Sequence, residues 1–503
     1  MRFKGRQGPF RKGRLVQAGQ IATMYVSLLI QVVAVVSVGL AFHRRVHPEL
    51  NFLIAAMFVT TPVWSYGALG SEGLVFMLDL VAPVLLLGRW LMGDWRFGRI
   101  TGLFALMILA LPLAYAPLSF LIVSPAYVPF HTFLLLSFLT RSAVLAVVLM
   151  IVERHLKAGP PNDMVRLFCI HMAVLMTLGA SQYFLSVDLV VFERIRGVEE
   201  TAEYFLDPDR GIFYGLGFLG LFRGAVAQMA ALALVWAIWA AMLRDSTRSF
   251  LWVCYAVPIL AAACVVGSLS RSGLAAFLVV AMAAFFVDRK FRRIALLYLG
   301  LALAMIHYFD IYARIGDLSS ILEGRFDLLE LSGQRGSGVT RLEAIFAYAN
   351  HVMTAWQPWL IGVGGFNPVE LQDQYGVFGM HNGYVDVLAR YGLVVGTVIL
   401  GALAAGAIYM FQGLTSPGES VRIAAKAFVP LLLGTAVLSL SQESLTFYGS
   451  AGYLAAVHLW VVLLAVAVVR GKRTGDYFVS QRDVVAGGGE LDRRNKGPSS
   501  AVA

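Results

Sequence analysis

His381 lies in the stretch GMHNGYVDVLARYGLVVG, directly before a predicted helix start at which Asn382 would serve as N-cap. The positive end of a helix favours the neutral imidazole, the form that accepts a proton, so this position suits a general base. The plain alternative is an interfacial histidine bonded to a backbone carbonyl. Three arginines could serve the same site. Arg271 sits in the Ser-rich turn SLSRSG between two apolar blocks, Arg223 opens another apolar block, and Arg341 opens the amphipathic stretch TRLEAIFAYANHVMTAW. A guanidinium presents a fork of donors that matches phosphate oxygens, and burying one costs several kcal/mol unless it is paired or hydrated. Convergence of the three on one cavity would suit a diphosphate, and the alternative is that each snorkels separately to water. Glu443, in SLSQESLTFY, is placed at the same end, where it would help hold a hydroxyl acceptor or orient His381.

Other polar residues admit weaker readings. Arg141 and Asp79 lie deep in two apolar blocks, where the expectation is a structural ion pair and the alternative a transport relay. Asp207 and Asp209, in LDPDRG, could bind a divalent cation with a diphosphate, or simply flank a turn at the intervening proline. Cys169, Cys254 and Cys264 fall inside apolar blocks and are odd in number, so they read as small core residues. No phosphate-binding loop, dinucleotide fingerprint or zinc-protease spacing occurs. Neither cofactor nor metal is expected.

The elements that must position these residues are membrane helices. Of 503 residues, 59% are hydrophobic and only 14% charged, against about 25% charged in a soluble domain. Soluble enzymes, secreted disulfide scaffolds and disordered chains are therefore excluded. Apolar blocks at 21–42, 51–66, 74–92, 101–123, 130–152, 164–187, 222–243, 250–268, 272–287, 294–309, 383–411, 423–441 and 449–469 predict an all-α polytopic protein of about 12–13 spans. No cleavage site follows the first block, which is read as a span rather than a leader. The expected organisation is a basic tail at 1–20 and transmembrane helices over 21–309, with an outer loop at 188–214. A large periplasmic loop at 310–382, further spans over 383–469 and a disordered cytoplasmic tail at 470–503 complete it.

Basic residues cluster in short loops on one side, as at Arg289, Lys290, Arg292 and Arg293, which makes that side cytoplasmic. That topology, rather than nucleic-acid binding, explains the net charge of +10. The two long segments then face outward and are acidic, with seven carboxylates against three arginines in 188–214 and eight against four in 310–382. Thirteen spans would place the N-terminus outside, although residues 1–14 carry six basic residues and no acid. Either a short block such as 51–66 does not cross, or the number of spans differs. Within 310–382 the amphipathic stretch predicts a helix on the membrane face, followed by the Gly-rich turn WLIGVGGF.

The order of these features resembles the bacterial O-antigen ligase and O-antigen polymerase family. Arg-Gly stands at a span start, S-R-S-G at the next outer turn, T-R-L-E opens the long loop, and P-W-L-I-G-V-G-G-F precedes H-N-G-Y-V-D-V-L-A-R-Y-G-L. The resemblance covers roughly 210–440. It implies a C-type membrane glycosyltransferase fold of the bacterial inner membrane, with a site on the periplasmic face. The implied donor is a glycan on undecaprenyl diphosphate, and the acceptor is another glycan, the lipid A core or a protein hydroxyl. The bilayer, and other polysaccharide-export proteins, would be its partners. His381 matches the family's catalytic loop histidine, and Arg271 and Arg341 match its arginines. Three positions depart from the ligase pattern: Val395 replaces a Gly, Thr or Tyr, Arg390 replaces an acid, and FRGAVAQ lacks a Pro-Asn. The expected function is accordingly a metal-independent surface or exopolysaccharide polymerase, with a ligase as the alternative. A lipid-linked glycan flippase and a structural envelope component are the readings of another class.

Overall fold

The computed structural model describes residues 48–58, 64–65, 74–75, 77–93, 98–99, 101–102, 111–123, 125, 128–158, 161–184, 206–207, 212–213, 223–243, 246–268, 271–287, 292, 337–364, 375, 380, 382–440 and 453–471. The blocks expected at 21–42 and 294–309, the basic N-terminal tail and the C-terminal tail beyond Gly471 lie outside them. The fold is that of an all-α polytopic membrane protein. Its helices are α1 (Pro48–Phe58), α2 (Met77–Leu91), α3 (Leu111–Ile122), α4 (Val128–Ala158), α5 (Asn162–Phe184), α6 (Arg223–Met242) and α7 (Arg248–Gly267). After these come α8 (Arg271–Val287), α9 (Ser337–Thr354), α10 (Gln357–Leu360), α11 (Gly383–Tyr391), α12 (Leu393–Phe411), α13 (Glu419–Ser439) and α14 (Tyr453–Gly471). Two-residue antiparallel pairings, β1 (Trp64–Ser65) with β2 (Leu74–Val75) and β3 (Leu206–Asp207) with β4 (Ile212–Phe213), are the strands among the described residues.

Among the described residues, five helical segments are long and apolar enough to cross a bilayer: His131–Ala158, Asn162–Ser181, Arg248–Val265, Leu393–Thr415 and Glu419–Ser439. Four shorter apolar helices accompany them, at Leu113–Ile122, Val226–Met242, Ala275–Val287 and Ala455–Gly471. The block expected at 51–66 is not one helix. It is divided between α1, which ends at Phe58, and a strand at Trp64–Ser65. Eleven residues rise only ~16 Å, about half a hydrocarbon core.

Helix α6 is the axis of the bundle and packs against α5, α7, α8, α13 and α14. Its sequence is apolar on every face, as a helix enclosed by others must be, and alanines at 227, 230, 231, 233, 237 and 240 let those neighbours approach. Trp236 stacks on Phe168 of α5 with ring centroids 4.6 Å apart. The cysteines behave as core residues: all three are buried and free, with Cys169 Sγ 3.9 Å from Cys254 Sγ, and Cys264 donating to the Met176 carbonyl. Helix α2 packs on α4, so the elements carrying Asp79 and Arg141 are neighbours. Helix α12 is the opposite of α6. Only 11% of its most apolar window is buried, which leaves its wall to lipid.

Candidate functional site

One end of the bundle gathers the starts of α6 and α8 and the finish of α13. Ala227, Ala276 and Leu438 form one buried cluster there. Helices α8 and α13 run antiparallel at close range, since a Cβ on Gly434 would collide with Val280 and meet the Ala276 carbonyl oxygen at 3.4 Å. Arg223 and Arg271 are the first residues of α6 and α8. They lie four and five residues, ~6 and ~7.5 Å of helix rise, from the clustered alanines. The opening of α11 is tied to this same end: Asn382 Nδ2 donates to the Leu440 carbonyl at 3.2 Å, and the Tyr384 hydroxyl donates to the Ala436 carbonyl at 3.0 Å.

Asn382 is the N-cap of α11, with extended backbone (φ −146°, ψ 113°). Its Oδ1 accepts from the amides of Tyr384 and Val385, both at 3.1 Å, and so satisfies two donors of the first turn. On the other side of position 381, the Met380 amide donates to Asp386 Oδ1 at 3.3 Å. Asp386 is fully buried and is held by Arg390 one turn later, whose Nε donates to its Oδ2 at 2.7 Å. His381 itself lies outside the described residues, between two that are fixed by side-chain bonds.

The loop that precedes α11 folds onto it as a small unit. Ala344 and Tyr348 of α9, Val363 of the turn, Tyr375, Met380 and Ala389 share one apolar cluster. Arg341 belongs to the turn of α9 just before Ala344, in a helix that starts at Ser337, four residues earlier than the sequence suggested. The element carrying Arg341 therefore packs against Met380, the residue before His381. The Gly-rich turn is locked to the end of α11, with the Val363 amide donating to the Ala389 carbonyl at 2.9 Å. Glycine is required there, because Gly362 (φ 59°) faces the Ala389 carbonyl and Gly392 (φ 80°) faces the backbone at Leu360 and Ile361. His351 Nδ1 bonds the Tyr375 hydroxyl at 2.9 Å within the same unit. Burial raises the Tyr348 phenol from 10.0 to about 12. The Tyr384 phenol is raised as well, chiefly by burial, with a bond to Ser439 opposing the shift.

Helix α3 braces this unit from the N-terminal half. The Tyr115 hydroxyl donates to the Tyr391 carbonyl at 2.8 Å, and the two rings meet edge to face at 5.3 Å. Gly364 (φ 81°) rests against the backbone of Ser119 on the same helix, and Ser119 Oγ lies 2.7 Å from His131 Nε2.

Of the residues expected at the site, Asn382 is the N-cap that the sequence predicts. Arg223 and Arg271 begin helices that cluster with the end of α13, to which Asn382 is bonded, and Arg341 belongs to the helix that packs against Met380, whereas His381 and Glu443 lie outside the described residues. Asp207 pairs with Ile212 across the β3–β4 hairpin, in keeping with the turn alternative, and Asp209 is outside the described residues. Asp386, Arg390 and Tyr115 escaped sequence reasoning. The i,i+4 spacing of Asp386 and Arg390 was a usable signal. Tyr115 offered none, since its partner is 276 residues away. Arg390, a departure from the ligase pattern, is here buried and compensated by Asp386.

An all-α fold with several helices apolar enough to cross a bilayer, and a loop unit docked on the helix ends, defines the class of multi-pass membrane proteins. Residues 256–400 match the family model described as O-antigen ligase. The match runs from within α7 to within α12 and contains Arg271, Arg341, His381 and Asn382, while Arg223 and Glu443 fall outside it. No curated protein matches the chain. Over the 145 of its 503 residues that match the family model, the chain is similar to the O-antigen ligase family.

Proposed function

We propose that the chain transfers a glycan from undecaprenyl diphosphate to a hydroxyl acceptor at the periplasmic face of the bacterial inner membrane, acting as a surface or exopolysaccharide polymerase. The observation that supports this reading is the hydrogen bond from Asn382, the N-cap of α11, to the Leu440 carbonyl at the end of α13, a helix whose Leu438 clusters with Ala227 and Ala276 near the starts of α6 and α8. His381 takes the proton from the acceptor hydroxyl, and the acceptor oxygen attacks the anomeric carbon as the bond to the diphosphate breaks. Arg271 and Arg341, with Arg223, hold the diphosphate and stabilise the charge it gains on leaving. Asn382 orients the loop through the cap, and Glu443 steadies the acceptor. Cationic side chains at the leaving group supply the stabilisation that a divalent metal would otherwise give, so no metal is required.

Replacing His381 with Ala tests the assignment. Transfer measured on membranes with lipid-linked glycan should fall by ~10²–10⁴ while the variant still inserts and folds. Turnover close to that of the unaltered protein would sink the base assignment, and turnover abolished by chelation and restored by a divalent cation would shift it to Asp207 and Asp209. In a deletion strain, single repeat units on the surface lipid would mark a polymerase, and full-length chains left on the carrier a ligase.

A further inference from the structure

Helix α9 does not use its apolar residues as one face. Ala344 and Tyr348 turn inward to the cluster with Met380 and Ala389. A second apolar stripe points away from the protein: Phe346 is 69% exposed, Met353 83%, Trp356 67%, Trp359 45% and Leu360 55%. Phe346 and Met353 are seven residues apart and so lie within ~20° of one another around the axis, and Trp356, Trp359 and Leu360 prolong the line through α10. The neighbouring edge of α9 is polar and exposed, with Glu343, Asn350 and Thr354. The indole N–H of Trp359 donates to the Val352 carbonyl at 2.8 Å, so the one polar group of that ring is satisfied inside the protein and its carbon surface is left bare.

The stripe is continuous with a lipid-facing wall. Helix α10 packs on α12, and Gly392, just before α12, lies against Leu360 and Ile361. Helix α12 then departs into the membrane with most of its surface uncovered, including Val394 and Val398 near its start. A patch of tryptophan, methionine and phenylalanine edged by polar residues, at the level where a span enters the membrane, has the composition of an interfacial anchor.

We infer that Phe346, Met353, Trp356, Trp359 and Leu360 seat the loop on the lipid bilayer from which α12 emerges, so that α9 and α10 rest in the headgroup layer while Ala344 and Tyr348 hold α11. The occupant of the stripe is lipid, not a second copy of the chain. This inference stands apart from the transfer chemistry, because its test reads depth and not activity.

The full chain is reconstituted in phosphatidylcholine–phosphatidylglycerol vesicles after Met353→Cys is labelled with an environment-sensitive fluorophore. The native cysteines are all buried, so the unsubstituted chain serves as the labelling control. Lipids bearing a nitroxide high on the acyl chain should quench the label at 353 and iodide should not, whereas the label on Asn350→Cys should lose emission to iodide. Trp356→Cys repeats the measurement one turn further on, so a local disturbance at 353 does not decide the result. Iodide quenching at both 353 and 356 overturns the inference by placing the stripe in water. Protection of both from either quencher overturns it equally, because a second copy or another segment then covers the stripe.

Discussion

Tyr348 carries a phenol that is 6% exposed and whose hydroxyl has no hydrogen-bond partner among the described residues. Burial raises it from 10.0 to about 12, so the fold favours the neutral phenol. Its contribution to stability is complete below pH 10 and is lost as pH climbs from there through about 12. Tyr348→Phe removes both the orphan hydroxyl and the titration. The variant should melt no lower than the unaltered protein at pH 8 and should lose less stability on alkaline titration, followed by thermal unfolding. A lower melting temperature at pH 8 would show that the hydroxyl is satisfied. Asp386 is the reverse case, a buried carboxylate with two bonds to fix. Asp386→Leu leaves Arg390 charged and buried without its counterion, and breaking such a pair costs ~3–5 kcal/mol. Because the same carboxylate holds the Met380 amide, transfer should fall with stability. Replacing both partners by Leu and Met should restore much of the thermal stability but not the transfer, since the Met380 tie is still missing.

Elements that follow from neighbouring residues were legible in the sequence. Asn382 as an N-cap, the helix containing Arg341 and the helix starts at Arg223 and Arg271 all depend on local chain chemistry, and all are present, the Arg341 helix with a start four residues earlier than expected. The burial of α6 against the exposure of α12 was not legible. Both read as uniformly apolar, and composition cannot distinguish a protein core from lipid when each excludes water. The brace from Tyr115 was hidden for a different reason, because it joins residues far apart in the chain through backbone carbonyls that carry no residue-specific signal. Close approach of helices leaves a subtler mark in small residues, and Gly434 is such a case. Gly434→Ala should drive α13 away from Val280 of α8 and displace the helix ends that flank the site. A loss of ~1–3 kcal/mol in thermal stability is expected, with transfer reduced, and Val280→Ala in the same chain should recover most of both. Failure of the double substitution to recover would mean that the contact does not set the spacing.

At the scale of the whole molecule the roles proposed for the histidine and the arginines separate. The bundle around α6 carries the helix starts at Arg223 and Arg271, and the loop unit carries Arg341 on α9 and is built around Met380, so the proposed site draws on two separate apolar cores. A donor that bridges loop and bundle binds only the folded, docked arrangement, and it must raise the unfolding temperature in proportion to its occupancy. Sugar-free undecaprenyl diphosphate is a suitable probe, because it keeps the lipid and both phosphates but cannot react. His381→Ala removes a proton acceptor that touches the other substrate, so its thermal shift with this probe should equal that of the unaltered protein although transfer is lost. Arg271→Ala and Arg341→Ala should each lose the shift at the same probe concentration, and the loss should be partly reversed by raising it. Lysine at 271 should restore charge without the forked geometry and recover only part of the shift. An undiminished shift in Arg271→Ala and Arg341→Ala, alongside a lost one in His381→Ala, would exchange the roles and place the diphosphate on the loop histidine.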